Sequence, residues 1–309
     1  MSDSSYPQLG FIGAGNMASA LVGGLLAQGW PASHLWLSDS NTAQLAPHAE
    51  RGCKTVTDNA VLAASVDMLV LSVKPQVMAD VLRPIAAVVQ RRQPLILSIA
   101  AGIPSDSLAR WLGGDLAVVR AMPNTPALVQ SGATGLFANA RVSNAQRRLA
   151  EQVLGAVGIT LWVEQEDLID AVTAVSGSGP AYFFYVMEAM IAAGVRLGLD
   201  ERDARALTLQ TALGSAQMAI TADVAPAELR RRVTSPAGTT EQAVKVFDQA
   251  ELSVIFERAL RACADGCGRA RPGCQNAEVR RQLKRRERAI VHEHCSAVRR
   301  QDGNPRRPG

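Results

Sequence analysis

An α/β amino-terminal half, built on a doubly wound parallel sheet and followed by an all-α half, is the fold class this sequence predicts. Three observations predict it. Short continuous apolar runs alternate with helical stretches over residues 1–164, the pattern of strands covered on both faces. A glycine turn, Gly13-Ala14-Gly15, separates the first run from the first helix. After Glu164 the strand signal fades and long Ala-rich helical patterns take over.

Taken in order, Gln8 to Ile12 reads as a buried strand and Asn16 to Gln28 as a helix closed by Gly29. A second strand at Leu35–Leu37 stops at Ser38-Asp39-Ser40-Asn41. Met68 to Val73 is an apolar run ending at Lys74-Pro75. Pro94 to Ile99 ends at Ala100-Ala101-Gly102, and Leu116 to Val119 leads to Met122-Pro-Asn124-Thr-Pro126. Gly158 to Val163 is the last strand expected. Beyond it, Pro180–Leu197, Asp203–Thr221 and a stretch opening at Thr239 read as helices. The first is so rich in Ala, Met and Phe that a partner subunit is expected to cover it.

The 309 residues are enough for two domains with separate cores, and 48% of them are apolar. No apolar run reaches the length of a membrane span, and the polar Met1-Ser-Asp-Ser-Ser start carries no signal-peptide pattern, so neither a membrane nor an export route is expected. The expected location is the cytoplasm. The net charge of +4 is unevenly placed: residues 266–309 hold 12 Lys/Arg against 4 Asp/Glu, while residues 1–265 hold 20 against 24. The body is therefore mildly acidic, and no nucleic-acid partner is expected. The division expected is 1–164, 165–265 and a basic tail, 266–309. Cys267, Cys274 and Cys295 lie in that tail, which lacks periodicity and reads as disordered.

The chemistry begins at the glycine turn. Gly13 permits the tight bend, Gly15 lets backbone approach a pyrophosphate, and Ala18 lets the helix pack on the strand. The free N–H groups of the helix start suit phosphate oxygens. At the end of the second strand, Asp39 points to NADH through the ribose hydroxyl, while Ser40 and Asn41 point to NADPH. Asp39 is equally suited to cap the next helix. Lys74 lies where open α/β sheets bind ligands; small Ala100 and Ala101 leave room for a nicotinamide, and Asn124 is placed to hold its carboxamide. In the second half, Ser176-Gly-Ser178-Gly-Pro180 is a helix start or a loop near the reacting carbon. Thr234-Ser235-Pro-Ala237-Gly238-Thr239-Thr240 precedes a helix whose N-terminus suits a carboxylate. Each of these loops also serves as plain capping or turn chemistry.

No His, Cys or paired carboxylate accompanies these loops, and no metal spacing occurs in the body; no metal is expected. His34 and His48 fall in surface-like stretches. A hydride acceptor that is already protonated needs no strong acid, so the pattern fits reduction of an imine better than that of a ketone.

These segments resemble the Δ1-pyrroline-5-carboxylate reductase family. The pieces are Phe11-Ile-Gly-Ala-Gly-Asn-Met-Ala18, Val73-Lys-Pro75, Ser98-Ile-Ala-Ala-Gly102, Met122-Pro-Asn-Thr-Pro126, Glu166-Asp-Leu-Ile-Asp-Ala-Val-Thr173, Ser176-Gly-Ser-Gly-Pro-Ala-Tyr182 and Val233-Thr-Ser-Pro-Ala-Gly-Thr-Thr240. The likeness runs from about residue 8 to 262. It implies an N-terminal Rossmann domain, a C-terminal helical dimerisation domain, NADPH preferred over NADH, and homodimers that assemble into decamers. The substrate implied is pyrroline-5-carboxylate, reduced to proline. The resemblance implies that Thr240 bonds the ring nitrogen as the catalytic contact, with Ser235, Gly238 and Thr239 on the carboxylate and Ser178 nearby. Cofactor contacts fall on Ile12, Gly13, Ala14, Gly15, Asn16, Met17, Ser40, Asn41, Asn59, Val73, Lys74, Pro75, Ala100, Ala101 and Asn124.

Two departures stand out. Ala237 replaces the family's usual glycine, and the last helix is expected to break near Cys263–Asp265, read as the mark of a frameshift. Two other readings remain open. A β-hydroxyacid dehydrogenase shares the plan, but its catalytic lysine is missing between Ser176 and Leu199. A non-catalytic NADP sensor with a nucleic-acid-binding tail is opposed by the retained Thr239 and Thr240.

Overall fold

The computed structural model describes residues 6–270, with side chains through residue 267. Eight strands form one sheet: β1 (Leu9–Ile12), β2 (Leu35–Ser38), β3 (Lys54–Val56), β4 (Met68–Leu71), β5 (Leu95–Ser98), β6 (Val118–Met122), β7 (Gly132–Ala138) and β8 (Gly158–Trp162). Their order is 3-2-1-4-5-6-7-8. β1 to β6 are mutually parallel; β7 runs antiparallel to β6 and parallel to β8. The carboxyl ends of β1, β4, β5 and β6 therefore line one edge side by side.

The helices on the sheet are α1 (Asn16–Ala27), α2 (Thr42–Glu50), α3 (Asn59–Ser65), α4 (Met78–Leu82), α5 (Ala86–Arg92), α6 (Ser105–Trp111) and α7 (Asn144–Gly155). Fully apolar strands such as Met68-Leu-Val-Leu71 are buried on both faces, which divides the core into two layers. In one, Leu21 and Leu25 of α1 and Val153 and Leu154 of α7 meet Phe11 and Val70. In the other, Leu62, Leu82 and Leu108 cover Ile12, Leu69 and Ile96.

The strands β3 and β7 carry no apolar run. β3 has three residues at the sheet edge. β7 is interrupted by glycines that its neighbours require: a Cβ on Gly135 would stand 2.5 Å from Val172, and one on Gly132 would stand 2.9 Å from the Val157 carbonyl.

After β8 the chain is helical: α8 (Leu168–Val172), a π-helical turn (Thr173–Gly177), α9 (Gly179–Arg196), α10 (Glu201–Thr221), α11 (Pro226–Arg232), α12 (Thr239–Gln249) and α13 (Leu252–Ala270). α9 and α10 pack closely, with Gly194 letting Ala204 approach. The break expected at Cys263–Asp265 is corrected: α13 continues through Ala270. Cys263 and Cys267, four residues apart, share a half-buried face of it, and the first proline comes only at 272. The expected tail beyond residue 270 lies outside the described residues.

Candidate active site

β1 delivers the chain into a turn that only glycine fits. Gly13 has φ +95°, and a Cβ there would lie 2.9 Å from the Ser72 carbonyl oxygen. The turn is pinned on every side. Gly13 N–H donates to the Ser38 carbonyl at 2.8 Å, and the Ser72 hydroxyl lies 2.8 Å and 2.7 Å from the carbonyls of Ile12 and Gly13. Ala18 is buried against the sheet. Gly15 caps α1 without a side-chain oxygen, and a Cβ on it would meet nothing within 4 Å. The first N–H groups of α1, at Asn16 and Met17, thus face an open ledge. This is the arrangement a pyrophosphate requires, and the residues fit a dinucleotide.

Asp39 does not take the capping role expected of it. One carboxylate oxygen accepts from Ala14 N–H at 2.9 Å and the other from Asn41 N–H at 2.8 Å. The cap of α2 is Asn41, whose side chain accepts from Ala43 N–H. Ser40 and Asn41 are exposed beside the turn, and Asn59 accepts from the buried Ser38 hydroxyl at 2.7 Å. Val73, Lys74 and Pro75 follow β4, with Lys74 exposed; Ala100 and Ala101 follow β5. The parallel strands thus bring all the first-half candidates to one edge.

Asn124, expected as a carboxamide hook, bonds the protein through both ends of its amide. Its side-chain oxygen accepts from Ala133 N–H at 2.9 Å, and its amide donates to the Ser176 carbonyl at 3.0 Å. It ties the end of β6 to the second half. Met122 reaches the same place, where a Cβ on Gly177 would be 2.7 Å from its terminal methyl carbon. The π-helical turn that bears Ser176 and Gly177 closes with Ser178 N–H on the Thr173 carbonyl at 2.8 Å. Such a turn is a frequent mark of functional segments. The Ser178 hydroxyl lies 3.2 Å from the Cys263 sulfur.

The loop before α12 stands apart. Thr234 bonds the Arg230 carbonyl, Gly238 N–H donates to the Ser235 carbonyl, and Ala237 N–H donates to Glu241 at 3.1 Å. These bonds stay between residues 230 and 241, and Ser235, Thr239 and Thr240 are exposed. Gly238 caps α12 without a side-chain oxygen, which leaves the N–H groups of Thr239 and Thr240 for a ligand.

Two buried polar groups escaped the sequence reading. His48, expected at the surface, is buried: its Nε2 lies 3.1 Å from the Ser19 hydroxyl, and burial, with Arg51 nearby, lowers its pKa. Its sequence signal is slight, a histidine three residues after Leu45 on the inward face of α2. Arg120 is 2% exposed within β6 and pairs with Glu166 at 2.8 Å. A lone arginine in an apolar strand run is a signal that could have been followed, because a buried charge demands a partner.

Known proteins share this arrangement. A family model described as pyrroline-5-carboxylate reductase dimerisation matches residues 166–269, and one described as NADP oxidoreductase coenzyme F420-dependent matches residues 8–102. The pyrroline-5-carboxylate reductase of Pseudomonas aeruginosa is 56% identical over 261 residues, covering 84% of this chain and 95% of the relative. A solved pyrroline-5-carboxylate reductase from Coxiella burnetii is 40% identical with a TM-score of 0.83, covering 86% of this chain and 99% of the other. The Plasmodium falciparum pyrroline carboxylate reductase, solved with NADP bound, is 28% identical with a TM-score of 0.75 over 85% and 97% of the two chains. With its glycine turn, its sheet edge and this extent of identity, the chain belongs to the pyrroline-5-carboxylate reductase family.

Proposed function

We propose that this chain reduces 1-pyrroline-5-carboxylate to L-proline with NADPH, the last step of proline formation. The observation that carries the substrate reading is the start of α12: a cap without a side chain, followed at once by Thr239 and Thr240. Free N–H groups and two hydroxyls there suit a carboxylate beside a ring nitrogen. When bound, the reduced nicotinamide supplies the hydride for the imine carbon. Ser235, Gly238 and Thr239 hold the carboxylate, Thr240 hydrogen-bonds the ring nitrogen, and Ser178 borders the site from α9. The α1 N-terminus, with Ile12 to Met17, holds the pyrophosphate; Ser40 and Asn41 lie toward the adenosine end; Asn59, Val73, Lys74, Pro75, Ala100, Ala101 and Asn124 line the remaining edge. The protein contributes orientation and charge complementarity rather than a strong acid.

The division into a cofactor domain (1–164) and a helical substrate domain (165–265) belongs to this proposal, as do the homodimer, its decamer and the cytoplasmic setting. Phe183, Phe184, Leu213 and Phe247 are exposed on helices of the second half, an apolar surface that a second copy covers. Dimerisation also carries the loop before α12, unattached to its own sheet edge, toward the edge of the other subunit. Among the described residues no helix is long and apolar enough to cross a membrane. The test is NADPH oxidation, followed by its near-ultraviolet absorbance, with pyrroline-5-carboxylate as acceptor. A folded preparation that binds NADPH and leaves this imine unreduced would overturn the reading.

A further inference from the structure

Beneath the edge where β5 and β6 end, one carboxylate gathers three donors from the first half. Glu166 lies in the linker between β8 and α8. Its Oε1 accepts from Ser105 N–H at 2.6 Å and from Arg120 Nη1 at 2.8 Å; its Oε2 accepts from the Ser105 hydroxyl at 2.8 Å. Ser105 opens α6, three residues after Gly102, and so anchors the loop that begins at Ala100 and Ala101. Arg120 is the third residue of β6, two before Met122 and four before Asn124. Eleven residues after Glu166 comes Gly177, against which Met122 packs.

This cluster is a poor device for stability. Arg120 Nη2 is buried without a protein partner, and a buried ion pair is often matched or bettered by apolar residues of similar volume. Its distinguishing property is direction: three bonds from two elements converge on one rigid carboxylate. Burial pushes the Glu166 carboxyl upward, but the bonds from Ser105 and Arg120 outweigh it and hold the group below the usual glutamate value. The grip is therefore ionic at neutral pH.

We propose that Glu166 is a positioning residue for the reduction: through Ser105 and Arg120 it fixes the loop at residues 100–105 against the segment that opens α9. The nicotinamide face and Ser178 are thereby held in register. This rests on the reaction assigned above.

The test uses the full chain with Glu166→Gln, Glu166→Asp and Ser105→Ala, each assayed well below its own melting temperature. Glu166→Gln keeps the size but turns an amide group toward donors. The expected result is a fall in kcat of about ten- to a hundredfold, the scale of a misplaced reacting group, with NADPH Kd changed less than about threefold. Glu166→Asp recovers part of the rate, and Ser105→Ala, which keeps the backbone bond, gives a smaller loss in the same direction. Bound NADPH is expected to show altered nicotinamide fluorescence in Glu166→Gln, a readout that needs no imine. Unchanged fluorescence and a wild-type kcat in a folded Glu166→Gln would overturn the proposal. A wild-type chain that turns over no pyrroline-5-carboxylate would overturn the assigned reaction instead, and the fluorescence comparison would still decide the role of Glu166. If Glu166→Gln does not fold, Ser105→Ala decides: a wild-type rate and fluorescence there overturn the proposal.

Discussion

Asp39 accepts the N–H of Ala14 at 2.9 Å, so the acidic residue that follows β2 braces the glycine turn. Its second oxygen holds Asn41, the cap of α2, and one side chain thereby fixes both walls of the expected phosphate site. Loss of both bonds in Asp39→Ala costs about 1–2 kcal/mol of site order, on the scale of one or two hydrogen bonds. The expected outcome is a weakening of NADH and NADPH by about tenfold alike, read by fluorescence titration. A loss confined to NADH would show that the carboxylate serves the ribose after all.

His48 yields a pH prediction. Its folded pKa lies below the ordinary 6.5 because burial, then Arg51, disfavours the imidazolium. The unfolded chain therefore takes the proton first as pH falls. The stability linked to His48 is complete above 6.5 and is lost as pH drops from there toward the depressed folded value. His48→Gln, which keeps a polar partner for Ser19, is expected to flatten the melting temperature between about pH 5 and 6.5. An unchanged slope in the variant would assign the acid sensitivity to other groups.

Ala237 sits at φ +60°, in the left-handed region where alanine is strained. The family's usual glycine removes that strain, about 1–2 kcal/mol, against an added unfolded-state entropy of about 0.4–1 kcal/mol. Ala237→Gly is therefore expected to stabilise the chain by about 0.5–1 kcal/mol in urea titration. Ala237→Val should destabilise it by more than about 1 kcal/mol. A destabilising glycine would mean that the loop relaxes to negative φ in solution.

Legibility in the sequence followed physical type. β1, β4 and β5 were readable because burial on both faces demands unbroken apolar runs, and the turn at Gly13 because only glycine takes that backbone. β7 was hidden by Gly132 and Gly135, whose reason is the approach of Val157 and Val172 from distant positions. His48 and Glu166 were missed because their significance lies in partners 29 and 46–61 residues away. The continuation of α13 was missed because Gly266 and Gly268 look like breakers, whereas in the fold the helix carries through them. At Ser235–Thr240 the residues alone read as a helix start suited to a carboxylate or as plain capping, and the individual roles came only from family resemblance.

Thr240 makes the sharpest test of the reaction. It is the second residue of α12, exposed, and its N–H lies in the uncapped first turn. A hydroxyl bonded to the ring nitrogen is expected to matter most as that nitrogen changes character during reduction, so its removal should fall on kcat more than on binding. Thr240→Ala is expected to lower kcat by about one to two orders of magnitude, the worth of a hydrogen bond to a charged group. NADPH affinity should stay within about twofold, since the substitution leaves the pyrophosphate grip of the glycine turn untouched. Thr240→Ser keeps the hydroxyl and should recover most of the rate. The opposite pattern, with kcat preserved and only KM raised, would make Thr240 a contact of the bound substrate alone and return the ring nitrogen to another donor.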